Sequence, residues 1–316
     1  MSARTILKLR VASDAHVAND IAHAYDRAGA RYLDYADGMA GDLFDFGGRY
    51  CYGDRRIWQA IEAKLVAFAE AGHRRLVVLD AGCGPGTWLR RVVTRAHLLG
   101  IPEICATGFD ISGEQIAIAR LQAGTLRQLP GVRLRFEERD LITPLVEEDG
   151  SVDLCLCLNG VLNHVSAADR VRVAAELARV TAGKLFVTVR TTGSQPSIFI
   201  DRVDAAADFR HDDRTDRLEI ELRDGHHVEF DLHLFHASEV RSLFAPHIEI
   251  TRLSGLDIFH SRFAPDPRWN PAEGAEDAAF HHDLELLEQT YAADPHFIDH
   301  ATHVLLIAEP QQIMER

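Results

Sequence analysis

Residues 77–89, VVLDAGCGPGTWL, constrain the fold of this chain more than any other stretch. Val77, Val78 and Leu79 read as a buried central strand of an α/β sheet, because consecutive apolar residues leave no face for solvent. Asp80 follows. Gly82, Gly84 and Gly86 then let the backbone turn sharply and approach a ligand with no Cβ in the way. Residues 87–99 turn helical, so a buried strand enters a helix through a glycine elbow. The helix start presents backbone N–H groups and an electropositive end suited to an anionic group. No lysine follows Gly86, which excludes a P-loop. The third glycine of a dinucleotide fingerprint belongs at position 87, which is threonine, and the extra glycine is Gly86 instead.

The pattern continues along the chain. Strands are expected at 76–80, 103–109, 132–137, 152–158 and 184–190, with helices at 87–99, 112–126 and 167–180 between them. Such alternation requires a mostly parallel sheet covered on both faces. Upstream, 16–32 is periodic, 37–54 is a loop rich in glycine and aromatics, and IWQAIEAKLVAFAEAG is an amphipathic helix. After residue 190 the rhythm breaks. LEIELRDGHHVEFDLHLF carries two alternating segments around Asp224-Gly225, a hairpin signal. A short helix at 238–245, strands at 247–254 and 301–309, and an insertion at 262–300 complete the chain. The expected organisation is a helical cap or lid (1–72), a ligand-binding core (73–190), an inserted hairpin over the substrate side (191–237), and completion of the core sheet around a helical insertion (238–316).

The elbow resembles the cofactor-binding signature of class I S-adenosylmethionine-dependent methyltransferases, usually written as an acid, two residues, then G-x-G. Asp80, Gly82, Cys83, Gly84, Pro85 and Gly86 carry the match. The resemblance spans residues 76 to about 190. It implies an α/β, Rossmann-like fold: a seven-stranded, mostly parallel methyltransferase sheet with an antiparallel last strand, here with an N-terminal helical cap and a β-hairpin insertion. It also implies S-adenosyl-L-methionine as cofactor, its amino acid end at the elbow. Asp110, 24 residues beyond Gly86 at the end of ICATGFD, would then accept from both ribose hydroxyls, with Ile111 packed on adenine. Asp140 would accept from the adenine amino group and Leu141 would supply an apolar edge. Asn159 would face the cofactor and the reacting centre. Arg49 is a candidate for the methionine carboxylate or an acidic acceptor. Plainer readings stand beside these, a strand-end helix cap for Asp110 and a surface loop acid for Asp140.

The acceptor side is read from aromatics and histidines. Tyr32, Tyr35, Phe44 and Tyr50 belong to an aromatic-rich amino-terminal stretch that also holds Tyr25, Phe46 and Tyr52. They are candidate substrate contacts, or else ordinary packing of a helical cap. His164, just after the fourth strand, is the candidate general base, since an unperturbed imidazole titrates near pH 6.5. His233 in the hairpin segment is a further substrate candidate. Neither its group nor the histidines of 281–303 forms a convincing metal set, so no metal is expected. Oxygen is the preferred acceptor atom over nitrogen or carbon.

Charge bounds the partners. With 34 basic and 48 acidic side chains, the net charge of −14 argues against nucleic acid and leaves a small molecule as the expected substrate. Five unevenly spaced cysteines suggest free thiols in a reducing cytoplasm rather than a disulfide framework. No signal peptide and no apolar run long enough to span a membrane is visible. The histidine-rich insertion serves as lid or interface, which admits a homodimer. Two alternatives use the same sheet, a nicotinamide-dependent oxidoreductase and a non-catalytic binding or assembly subunit.

Overall fold

A computed structural model describes residues 21–22, 25–26, 42–46, 51–194, 206–223, 225, 227–260 and 275–311. Strands β1 (Arg75–Ala81), β2 (Glu103–Asp110), β3 (Val132–Glu138), β4 (Val152–Cys157) and β5 (Thr181–Arg190) run parallel. The last strand, β10 (His303–Glu309), lies antiparallel between β5 and β9 (Glu249–Leu256). The sheet order is β3-β2-β1-β4-β5-β10-β9, the seven strands that the resemblance implied. From β1 the chain steps outward through β2 and β3, then returns to place β4 on the other flank. Open α/β sheets form their ligand crevice at such a reversal, outside the carboxyl ends of the strands.

Alternation explains the two faces. On β1, Leu76 and Val78 join one buried cluster while Leu79 and Ala81 join the other, and on β4 Leu154 and Leu156 oppose Cys155 and Cys157 in the same way. Those two cysteines are therefore packing residues, and all five cysteines are free thiols. Helix α1 (Cys51–Glu70) covers the first face with Ile57, Ile61, Leu65 and Phe68, one stripe at helical spacing. It is joined there by α2 (Thr87–Leu98), whose Leu89, Val92 and Val93 are fully enclosed. Helix α4 (Ala167–Val180) packs Val173 and Leu177 on the second face. Ile61→Ala, at a site with 0% exposure, is expected to lower stability by about 2–5 kcal/mol. Urea unfolding would measure this, and a loss under 1 kcal/mol would contradict the burial assigned to α1.

Two expectations need adjustment. The helix foreseen at 112–126 ends as α3 (Gly113–Gln122), and a separate single turn spans Leu126–Gln128. Gly124 lies at the break, where helix propensity is lowest. The hairpin is present as β7 (Arg217–Leu222) paired with β8 (His227–Asp231), but β6 (Ala206–Asp212) adds a third antiparallel strand. AADFRHD lacks the regular apolar alternation by which the other two were read. Leu218, Ile220, Leu232 and Leu234 make a small core of their own beneath this sheet. Helices α5 (Ala237–Phe244) and α6 (Ala275–Tyr291) complete the description. Among the described residues, no helix is long and apolar enough to cross a membrane.

Candidate cofactor and acceptor cleft

The cleft is built strand end by strand end. At β1 the elbow turns with Gly82, Gly84 and Gly86 at φ 75°, 51° and 76°, left-handed values that favour glycine. The N–H groups of Gly82 and Cys83 donate to the Phe109 carbonyl at 2.8 and 2.9 Å, which ties the elbow to the end of β2. Asp80, Gly82, Cys83, Gly84 and Pro85 line the cleft. Gly86 does not. It sits beneath the elbow at the start of α2, where a Cβ would lie 2.6 Å from Phe136, so its requirement is close helix–strand packing.

At β2 the Asp110 carboxylate accepts from Gly84 N at 2.8 Å through one oxygen and from Ser112 N at 2.9 Å through the other. The side-chain cap of α3 is Ser112, which accepts from Gln115 N at 3.2 Å. Burial raises the Asp110 carboxyl above its ordinary range, against the pull of the backbone N–H groups of Ser112, Gly84 and Ile111. Ile111 lines the cleft beside it. Past β3 come Arg139, Asp140 and Leu141. Asp140 Oδ1 accepts from Ile142 N at 3.0 Å, while the Arg139 guanidinium lies 4.2 Å from the Phe109 ring centre. Past β4, Asn159 adopts φ 60°, a left-handed conformation that asparagine tolerates better than most residues. Its N–H donates to Thr188 Oγ1 at 2.7 Å.

His164 ends the turn Val161–His164 and lines the same cleft. Its Nδ1 lies 2.9 Å from the Asp231 carbonyl, an oxygen that only accepts, so Nδ1 carries the proton. In the neutral ring Nε2 is then the acceptor, and the Tyr25 hydroxyl donates to it at 3.0 Å. Burial lowers the His164 pKa to about 4, the Asp231 hydrogen bond opposing and the Arg190 charge assisting. The imidazole is therefore neutral at pH 7 and a weaker base than the ordinary value near 6.5 suggested, because a charged ring there would lose its water.

Asp80 has the opposite problem. It is 2% exposed and its Oδ2 is buried without a hydrogen-bond partner among the described residues. Burial, then the nearby Asp110 charge, raises its pKa to about 7. A buried, under-satisfied carboxylate at the rim of a cleft calls for a cationic or donor group from a ligand.

Two acceptor-side candidates lie elsewhere. Phe44 lies tilted against Trp58, ring centres 5.2 Å apart, and packs on the core under α1 rather than lining the cleft. His233 is held between Asp216, 2.9 Å from Nδ1, and Glu239, 2.9 Å from Nε2. That hydrogen-bonded contact joins the inserted sheet to α5, outside the cleft lining. Tyr32, Tyr35, Arg49 and Tyr50 lie outside the described residues. In turn, the cleft includes Ile21, Tyr25, Trp88, Arg139 and Asp169, which were not among the candidate site residues. Tyr25 was one aromatic among several, and its partner is 139 positions away. No group of three or more histidine, cysteine or acidic side chains among the described residues is placed to hold a metal ion.

Residues 78–183 match the family described as a methyltransferase domain. This segment is a methyltransferase domain, set in a sheet of the class I methyltransferase fold. The match runs from β1 into β5 and so includes the elbow and all four strand ends that line the cleft. Solved structures resemble the whole chain in fold. The [4+2]-cyclase SpnF superposes with a TM-score of 0.54 at 18% identity, over 93% of this chain and 97% of its own. Magnesium protoporphyrin IX methyltransferase (ChlM) from Synechocystis PCC 6803, with bound SAM, gives 0.51 at 14% identity over 92% and 97%. No curated protein matches the sequence. The methyltransferase domain thus lies within a fold that also supports a cyclase.

Proposed function

We propose that this methyltransferase modifies a small organic acceptor, at oxygen in preference to nitrogen or carbon. The observation that carries the preference is a neutral His164 whose Nε2 faces the cleft. S-adenosylmethionine, when bound, supplies a methyl group already activated by the sulfonium. The chain has to bind, align and keep water out, and for some acceptors it must also receive a proton. A weak base suffices for a hydroxyl, because the proton on oxygen becomes strongly acidic as a third substituent adds. An alkylated amine holds its proton far more firmly, so a base weakened to pKa about 4 gives it little help.

The orphaned Asp80 oxygen fits the cofactor's cationic amino acid end, whereas the N–H groups of Gly82, Cys83, Gly84 and Gly86 are already paired with protein oxygens. Asp110 would hold the ribose hydroxyls, Ile111 would pack on adenine, and Asp140 with Leu141 would meet its amino edge. Asn159 would orient the methionine portion or the acceptor. Ile21 and Tyr25 of the amino-terminal part border the cleft, and Asp231 of the inserted sheet orients His164. This supports reading 1–72 and 191–237 as caps on the acceptor side.

Incubating metabolite extracts with methyl-labelled S-adenosylmethionine tests the acceptor atom, since product mass and fragmentation locate the label. A methyl ether or ester is expected, and a product labelled only at nitrogen would overturn the preference. With that product assayed, His164→Ala should lower kcat by roughly 10²–10⁴-fold, the usual contribution of a positioned base. Cofactor affinity should stay unchanged. Full activity would leave positioning alone as the mechanism.

A further inference from the structure

We infer that the acceptor is an aromatic hydroxyl compound that takes the place of the Tyr25 phenol on His164 Nε2. The inference rests on the oxygen-methylation reading above and names its substrate class. His164 has one ring nitrogen free to receive a proton from the cleft, because Nδ1 is committed to the Asp231 carbonyl at 2.9 Å. The in-plane lone pair of Nε2 accepts one strong hydrogen bond, and the Tyr25 hydroxyl supplies it at 3.0 Å. An incoming hydroxyl that gives its proton to this nitrogen must therefore occupy the position of that phenol oxygen.

The surroundings match an aromatic ring carrying that hydroxyl. The Tyr25 ring meets His164 edge-on, with centroids 5.7 Å apart and planes at 88°. Phe230 of β8 flanks the imidazole at 5.5 Å. Ile21, Val161 and Val165 are apolar members of the same lining. A phenol replaces Tyr25 like for like, keeping both the O–H donor and the aromatic contact. A cyclohexanol-type alcohol keeps the donor and loses the ring face. An aniline keeps the ring and offers a poorer donor.

Tyr25 is half-buried and borders the cleft. Its carbonyl accepts from Gln115 Nε2 at 3.2 Å, and the neighbouring Asp26 accepts from Ser112 Oγ at 2.5 Å. These bonds hold this segment to the start of α3. In the reaction the C–S bond of the methyl donor breaks as the C–O bond forms. The acceptor's hydroxyl proton passes to Nε2, and Nδ1–H stays on Asp231. The imidazolium then loses its proton to solvent.

Calorimetric titration tests this with phenol, cyclohexanol and aniline as probes, each added to the S-adenosylhomocysteine complex of the wild type and of Tyr25→Phe. The variant keeps the ring and removes the competing hydroxyl. Phenol should bind both proteins in preference to the other two probes. It should bind the variant roughly five- to tenfold more tightly, the equivalent of about one net hydrogen bond. Equal or weaker phenol binding to Tyr25→Phe would overturn the inference, as would cyclohexanol or aniline matching phenol, or no saturable phenol binding at all. Tyr25→Leu serves as a second variant that also vacates the ring, and the same gain is required of it. Saturable S-adenosylhomocysteine binding in each variant reports an intact cofactor site. A product screen that finds nitrogen or carbon methylation would refute the parent reading independently of these titrations.

Discussion

Asp110→Ala is expected to weaken S-adenosylhomocysteine binding by roughly a hundredfold or more in calorimetric titration. In the proposed role this carboxylate receives two ribose hydroxyls. Hydrogen bonds to a charged group contribute about 1.5–3 kcal/mol each. The same carboxylate also holds Gly84 N and Ser112 N, so the substitution loosens the elbow together with the ribose contact. Ser112→Ala is the milder change. It keeps the Asp110 carboxylate with both of its backbone N–H bonds, removes the α3 cap and the Ser112 Oγ bond to Asp26, and should cost much less affinity. An Asp110→Ala protein that bound the ligand normally would refute the ribose assignment.

The second large effect concerns Asp80 and has opposite signs for binding and for stability. Without ligand, burial and the Asp110 charge keep its pKa at about 7, above the ordinary carboxylate value of 3.8. Between those values the folded protein holds a proton that the unfolded chain has released. This contribution to stability is therefore fully present below pH 4 and is lost as pH rises through 7. Asp80→Asn removes that loss. It should stabilise the ligand-free protein at pH 8 by roughly 2 kcal/mol or more, given about 1.4 kcal/mol per pKa unit and some cost for burying the amide.

Cofactor binding runs the other way. A cationic ligand group beside Asp80 favours the carboxylate, so binding releases a proton near and below pH 7. Wild-type affinity for S-adenosylmethionine should fall by about tenfold from pH 8 to pH 6. Asp80→Asn should bind weakly with little pH dependence over that range. Thermal unfolding and calorimetry at pH 6, 7 and 8 test both. A variant that is less stable at pH 8, or that keeps the wild-type pH slope, would contradict the assigned state of Asp80.

Stability and ligand affinity are thus opposed at one buried side chain. Asp80 costs the free protein and is retained where the cofactor's positive end is expected. Loss of the carboxylate should give a protein that folds better and binds worse, a trade-off common at functional sites.

The core was legible because its signals are local. Short, largely apolar stretches marked β1, β2, β4, β5 and β10. Asp80, Gly82, Cys83, Gly84 and Pro85 could be read as one ligand-facing turn because they are consecutive or nearly so. Asp110, Asp140 and Asn159 were legible because the parallel topology brings successive strand ends to one edge. Gly86 shows the limit of such reading. Nothing in the sequence separates a glycine that faces ligand from one that faces Phe136, since both satisfy the same local turn.

The acceptor side was mostly illegible. Phe44 and Tyr25 look alike as aromatics before the core, yet one packs on Trp58 and the other meets His164. His164 and His233 look alike as histidines, yet one is buried and neutral at the cleft while the other is hydrogen-bonded between Asp216 and Glu239. The sequence by itself determined the doubly covered parallel sheet and the glycine elbow, because each depends on residues a few positions apart, and the cofactor class came only with the resemblance that the elbow carries. Only the tertiary structure decided which histidine is the base candidate, which of its nitrogens carries the proton and which tyrosine stands before it. Those outcomes depend on contacts 67 and 139 residues apart and on burial, and neither is encoded in local periodicity.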